Sequence, residues 1–401
     1  EAMNRIDGKR PSQPYASRRA AVALCLALVA TALLALWLPL RSSVLGAPLD
    51  ERYRFGFGVK LQKGQVEDYD VEELRAGWYV DWLARPNPAR PAGMEYVQMV
   101  RVHQVYEDWP NRHADREAYP YVEPYTYTLN SPNNWTTVAL IAQGSPGSLW
   151  LIGNEMDRMD WEGGGQDEML PELYAVAYHD LYHFIKSNDP TARVAIGGVI
   201  QPTPCRLKYL DIVWQTYQDL YHVPMPVDVW NIHNMILTET EFHGAQMPPG
   251  IDKSMCEAEG YSTQDADNVE IFKQHIVDFR QWMEDKGEGE KPLIISEYSV
   301  LYPERLGFDE ARVIRYLCAT FDYLTTATDA SLGYPADDDR LVQRWAWYSL
   351  NDAAFEGYDP SWHHLFDPDT QQITRLGINY GTRCARGPAV YLPIVLSSYG
   401  P

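Results

Sequence analysis

The sequence predicts an α/β fold, a single-domain (β/α)8 TIM barrel, on three observations. Eight short apolar runs recur along the chain, stretches of helical period lie between them, and no long linker, internal repeat or low-complexity tract divides the whole. The runs are Tyr53–Val59, Gly77–Trp82, Glu95–Val102, Leu149–Glu155, Val194–Val199, Val227–His233, Leu293–Glu297 and Arg344–Leu350. Several are continuous β-branched or aromatic segments, as strands covered on both faces require.

The intervening stretches change period. Val269, Phe272, Ile276, Phe279 and Met283 recur at alternating spacings of three and four, giving one apolar helical face. Leu173, Ala177, Leu181 and Phe184 form a second such face behind Pro171, a residue suited to a first helical turn. Val313, Leu317, Phe321 and Leu324 form a third, with Asp309 placed to cap it. Residues Leu83–Met94 are short and proline-rich, so the outer helix between the second and third strands is expected to be missing or vestigial.

Charge divides the chain. The net charge is −21, yet residues 1–41 carry Arg5, Lys9, Arg10, Arg18, Arg19 and Arg41 against only Glu1 and Asp7, leaving −25 for the remainder. So acidic a body repels nucleic acid and anionic lipid, and a neutral ligand such as a sugar chain suits it better. Residues 20–38 form an uncharged apolar run behind Arg18-Arg19, which reads as an export segment. Cleavage after Ala47 and retention as a membrane anchor both remain open. The expected organisation is an export or anchor segment over 1–47, the barrel over 48–384, and a short apolar tail over 385–401. The product is a secreted or otherwise extracytoplasmic monomer that meets a membrane only through that anchor.

Cys25 lies inside the apolar run. Cys205, Cys256, Cys318 and Cys384 allow two disulfides in an exported chain, and Cys205–Cys256 is the preferred pair, both falling in loops on one face of the barrel. Free buried thiols are the alternative. His179 and His183 stand four apart on a helix, but Asp-Leu-Tyr separates them, without the glutamate of a zinc protease motif, and an exterior helix face is expected. Asp337-Asp338-Asp339 reads as a solvated loop rather than a calcium site. Neither a metal nor a cofactor is expected.

Chemistry concentrates at the C-terminal ends of the strands, where barrels place reacting groups. The fourth strand ends Gly153-Asn154-Glu155 and the seventh ends Ser296-Glu297-Tyr298. Two glutamates on non-adjacent strands of one closed barrel can face each other across its axis. Hydrolysis of a glycosidic bond with retention needs such a pair, about 5–5.5 Å apart, one to protonate the leaving oxygen and one to attack the anomeric carbon.

These two motifs, in this strand order, resemble the signature of clan A glycoside hydrolases, the retaining barrel enzymes that include cellulases, mannanases and β-1,3-glucanases. The resemblance runs from about Tyr53 to Gly381. It implies Glu155 as acid/base, Glu297 as nucleophile and Asn154 as a contact to the sugar 2-hydroxyl. It further implies His233 at the end of strand six positioning the nucleophile, Trp347 or Trp345 as the floor of the central subsite, and Arg101 as support for the nucleophile. Tyr298, next to the nucleophile, joins the substrate-binding set. Met156 stands where many of these families have proline. Trp78 and Trp82, the loop tyrosines Tyr119, Tyr121, Tyr125 and Tyr127, and the long stretch Leu237–Asp267 are candidates to floor and wall a groove for a neutral polysaccharide. The competing expectation is a non-catalytic surface barrel that only binds glycans.

Overall fold

Each of the eight apolar runs overlaps a strand. In a computed structural model, the residues described are 51–108, 118–160, 165–239, 244–353 and 361–385. The export segment with Cys25, and all of the tail beyond residue 385, lie outside them. Among the described residues no helix is long and apolar enough to cross a membrane.

The strands are β1 (Phe55–Gly58), β2 (Trp78–Val80), β3 (Glu95–Tyr96), β4 (Gln98–Val100), β5 (Val102–Gln104), β6 (Tyr127–Leu129), β7 (Leu149–Ile152), β8 (Arg193–Ile196), β9 (Trp230–His233), β10 (Leu293–Tyr298) and β11 (Arg344–Trp347). A six-stranded parallel sheet runs β3-β2-β1-β11-β10-β9, and a three-stranded parallel sheet runs β4-β7-β8. The expected third strand is split at Val97: Glu95 and Tyr96 pair with β2, whereas Gln98 to Val100 pair with β7. At the other end, parallel bridges Ala195–Val229 and Val199–Ile232 link β8 to β9. Beyond β4 the chain continues as β5, which shares only Val102 with the expected third strand and pairs antiparallel with β6.

The expected helices form, with three more among the described residues. They are α1 (Trp135–Gly144), α2 (Pro171–Asn188), α3 (Pro204–Tyr221), α4 (Val269–Asp285), α5 (Glu310–Thr326) and α6 (Arg375–Gly381). Pro171 opens α2, and the Asp309 carboxylate accepts from the Arg312 N–H to cap α5. Only a 3-10 turn, Pro91–Gly93, stands between β2 and β3.

The two faces of the strands feed separate clusters, because successive side chains alternate. Trp78, Val80, Val97, Met99, Leu149, Leu151, Ala195, Val229, Ile294 and Ala346 pack together on the inner face. Their neighbours, among them Tyr79, Trp150, Trp230, Ile295, Trp345 and Trp347, join the helices in the main core. Disulfides form between Cys205 and Cys256 and between Cys318 and Cys384. Cys205 is not in a loop as expected: Pro204 starts a helix, and the cysteine sits in its first turn.

Candidate active site

Inner-face parity brings the ends of β2, β7, β9, β10 and β11 together. Counting in twos from the inner-face residues leads to Trp82, Glu155, His233 and Tyr348. Glu297 breaks the count. Ile294 is inward, so an unbroken strand would turn Glu297 outward with Ile295. The register shifts by one residue between Ile295 and Tyr298, opposite the regular Trp345–Trp347 of β11. This irregularity changes the phase, sending Glu297 in and Tyr298 out.

The centre is a buried triad. His233 Nδ1 lies 3.1 Å from Glu155 Oε1, and its Nε2 lies 3.3 Å from Glu297 Oε1. The second contact is near enough for charge attraction but off the direction of a hydrogen bond. One oxygen of each glutamate and a His233 nitrogen all fall within 4.8 Å of one another. The Trp82 indole N–H donates to Glu297 Oε1 at 2.5 Å. On the other oxygen of Glu155, Arg158 Nη1 donates at 3.3 Å and Gln166 Nε2 at 3.1 Å. Glu155 adopts a left-handed backbone, φ 49°, held by its N–H on the Gly198 carbonyl at 3.0 Å.

Gly198 also leaves room for the imidazole, since a Cβ there would stand 2.3 Å from His233 Cδ2. Gly58 does the same for Trp82, whose ring would lie 2.8 Å from an added Cβ.

Two carboxylates this close in an enclosed site raise each other's proton affinity. Burial pushes the Glu155 carboxyl up, but His233, Arg158 and Gln166 outweigh it and hold Glu155 down at about 2. Glu297 is raised, by burial first and by the Glu155 charge, with His233, Trp82 and Arg101 opposing. Burial works against a charged His233, yet Glu297 and Glu155 together raise it. Its ring lies between the two carboxylates.

Other expected site residues are placed differently. Tyr298 faces the helices, its hydroxyl 3.4 Å from Thr320 of α5, on the side of the strand away from the two glutamates. Trp347 is also outward, edge-on to Tyr298 at 5.1 Å, with its indole N–H on the His363 carbonyl at 2.7 Å. Trp345 packs edge-on to Phe55 and near Phe321 of α5. Neither tryptophan floors the site, because both share a face with the outer core. The inward aromatic is Tyr348, edge-on to Trp82 at 5.6 Å, its hydroxyl donating to Asp352 at 2.8 Å. Trp78 is inward but at the opposite end, its indole N–H 3.4 Å from the Arg54 carbonyl ahead of β1.

Arg101 binds Asp167, with Nε on Oδ2 and Nη2 near Oδ1, each at 2.7 Å, and acts on Glu297 only through its charge. Asn154 donates to the Gly165 carbonyl at 3.0 Å, leaving its buried Oδ1 without a protein donor. Tyr121 donates to Glu168 and Tyr127 to Asp180 of α2, so Tyr127 faces a helix rather than a cleft. His179 and His183 sit against Tyr217 and Tyr221 of α3, His179 stacked on Tyr221 at 3.5 Å. Asp337 is bound by Arg54.

The stretch after β9 does reach the site. Its Gly244 carbonyl accepts from Arg158 at 3.1 Å, and it is tied to α3 by Cys205–Cys256 and by Arg206 on Glu239 at 2.6 Å. Sequence reasoning missed Arg158, Gln166, Tyr348 and Gly198. Parity along the strand could have found Tyr348; no local signal marks the other three.

No protein-family model matches the sequence, and no curated protein is significantly similar to it. Solved structures with a similar chain path include a GH128 subgroup II endo-β-1,3-glucanase from Sorangium cellulosum, with TM-score 0.48 and 16% identity over 82% of this chain and 98% of that one. A GH128 subgroup VI exo-β-1,3-glucanase from Aureobasidium namibiae gives TM-score 0.46 and 11% identity, covering 82% and 96%. A family 39 glycoside hydrolase from Bacteroides cellulosilyticus gives 0.44 and 11%, covering 82% and 63%.

Proposed function

We propose that this protein is a retaining glycoside hydrolase that cleaves β-linkages in a neutral polysaccharide, on a closed (β/α)8 barrel. The ring reading is supported by the chain's direct passage through Val97 from pairing with β2 to pairing with β7, and by the bridges between β8 and β9 at the other end of the two parallel sheets. One observation carries the activity. Two buried glutamates present oxygens within 4.8 Å of each other, with a histidine between them. That span suits attack on one sugar carbon by one carboxylate while the other serves the leaving oxygen, and it leaves too little room for the water of an inverting enzyme.

Glu297 attacks the anomeric carbon and the glycosidic C–O bond breaks, its electron pair leaving with the oxygen that Glu155 protonates. Water, deprotonated by Glu155, then displaces Glu297. The Trp82 N–H orients the attacking oxygen, and Tyr348 offers a face for the sugar ring. The trio could also enclose a cation by distance, but Arg158 already occupies Glu155 Oε2, and His233 Nδ1 is taken up by Glu155 Oε1. Export is part of this reading, because paired disulfides persist in oxidising compartments.

The test is hydrolysis of β-1,3-glucan, β-1,4-glucan and mannan, with the anomer of the first product read by NMR. Wild type should give the retained β-anomer. Glu297→Gly should fall at least about 10³-fold and yield an α-glycosyl azide when azide replaces the nucleophile. An α first product, binding without cleavage, or an active Glu297→Gly would overturn the proposal.

A further inference from the structure

The surroundings of Glu155 pose a problem for a residue that must deliver a proton. A protonated carboxyl needs an acceptor for its O–H, and the two groups on Glu155 Oε2, Arg158 and Gln166, are both fixed donors. Arg158 has no acceptor to offer. Gln166 has its amide orientation fixed, because its Oε1 accepts the Gly165 N–H at 2.9 Å and so turns Nε2 toward Glu155. His233 Nδ1 makes the third contact, at 3.1 Å. The two fixed donors on Oε2 favour an ionised Glu155, and Nδ1 is the group within hydrogen-bond reach of Oε1 that can carry its proton.

We infer that in the resting enzyme the proton destined for the glycosidic oxygen is held on His233 Nδ1, and that it passes to Glu155 only once substrate is bound. This rests on the glycosidase reading and adds to it the source of the proton. His233 is fully buried and fixed by its own N–H on the Val199 carbonyl at 2.8 Å. The charged groups around it are Glu155, Asp157 and Arg158 from the segment after β7, Glu297 from β10, and Arg101 beyond Glu297. The acids nearest the ring favour the imidazolium, in line with the raised proton affinity of His233.

The sequence balances. As substrate binds and the Glu297–anomeric carbon bond forms in step with breaking of the glycosidic C–O bond, Glu297 loses its negative charge, which removes one of the two anions that stabilise the imidazolium. The Nδ1 proton moves to Glu155 Oε1, the carboxyl turns this O–H to the glycosidic oxygen, and that oxygen leaves with the bond pair and the proton. In the second half Glu155 takes a proton from water and returns it to His233 as Glu297 is released as a carboxylate.

A positioning residue for the nucleophile and a proton reserve for the acid differ in leaving-group dependence. The assay compares wild type, His233→Gln and His233→Asn on laminarin, a β-1,3-glucan, and on 2,4-dinitrophenyl β-glycosides, whose leaving group needs no proton. The variants should lose about 10²-fold or more in kcat/KM on the polysaccharide, the usual worth of a general acid, and under about fivefold on the aryl substrate. Equal losses on both substrates would overturn the inference. Nitrogen-15 NMR of the histidines in folded wild type decides the proton's place even if the variants misfold. A charged His233 at pH 6.5 that becomes neutral in Glu155→Gln supports the inference, and a neutral His233 in wild type refutes it. Wild type that cleaves no glycan would sink the glycosidase reading instead.

Discussion

Gly198→Ala tests the geometry of the triad without touching a charged group. The added Cβ would stand 2.3 Å from His233 Cδ2 and 2.5 Å from Nε2, against an ordinary contact near 3.4 Å. The ring must then retreat by about 1 Å, because the other side of the clash is backbone that also holds the Glu155 N–H. A 3.1 Å hydrogen bond to Glu155 does not survive that movement. Overpacking should cost about 1–3 kcal/mol of stability. Loss of a hydrogen bond to a charged group is worth about 1.5–3 kcal/mol, so kcat/KM should fall about 10- to 150-fold while the protein stays folded. The assay is kcat/KM on the active polysaccharide, in a double-mutant cycle with His233→Ala. If the effect runs through the imidazole, Gly198→Ala should cost little in the His233→Ala background. Wild-type activity in the single variant, or full additivity in the pair, would refute the reasoning.

Three further outcomes follow from the structure. Tyr348→Ala should raise KM about tenfold through loss of the inward aromatic that follows β11, whereas Trp347→Phe should leave KM unchanged and cost about 1 kcal/mol from its bond to the His363 carbonyl; kinetics and melting separate the two. Replacing Cys205 and Cys256 by alanine opens a loop of sequence separation 51 and should cost about 4 kcal/mol by chain entropy, measured by denaturant unfolding. Burial holds His275 and His363 down at about 3 from their usual 6.5. The unfolded chain binds those protons first, so their stabilisation is complete above pH 6.5 and declines as pH falls toward 3, by about 1.4 kcal/mol per unit for each histidine. Denaturation at pH 7 and pH 5 should show this slope, reduced in His363→Gln; His233, raised instead of lowered, contributes with the opposite sign.

By itself the sequence determined which segments supply the parallel strands and which polar residues follow them, because burial on both faces writes such a strand as an apolar run with an abrupt polar end. That was enough to locate Glu155, His233 and Glu297, and the helical period was enough for α2, α4 and α5. Period two along the strands also carried the facing of Trp345, Trp347 and Tyr348, although the resemblance pointed to the tryptophans. The inward turn of Glu297 was not local information. It depends on a one-residue shift against β11 and β9, and such a shift is a property of three strands pairing, not of the residues Ser296 and Glu297. The donors on Glu155 and the space at Gly198 were likewise decided only in three dimensions, because Arg158, Gln166 and Gly198 reach the site from loops whose course depends on what they pack against.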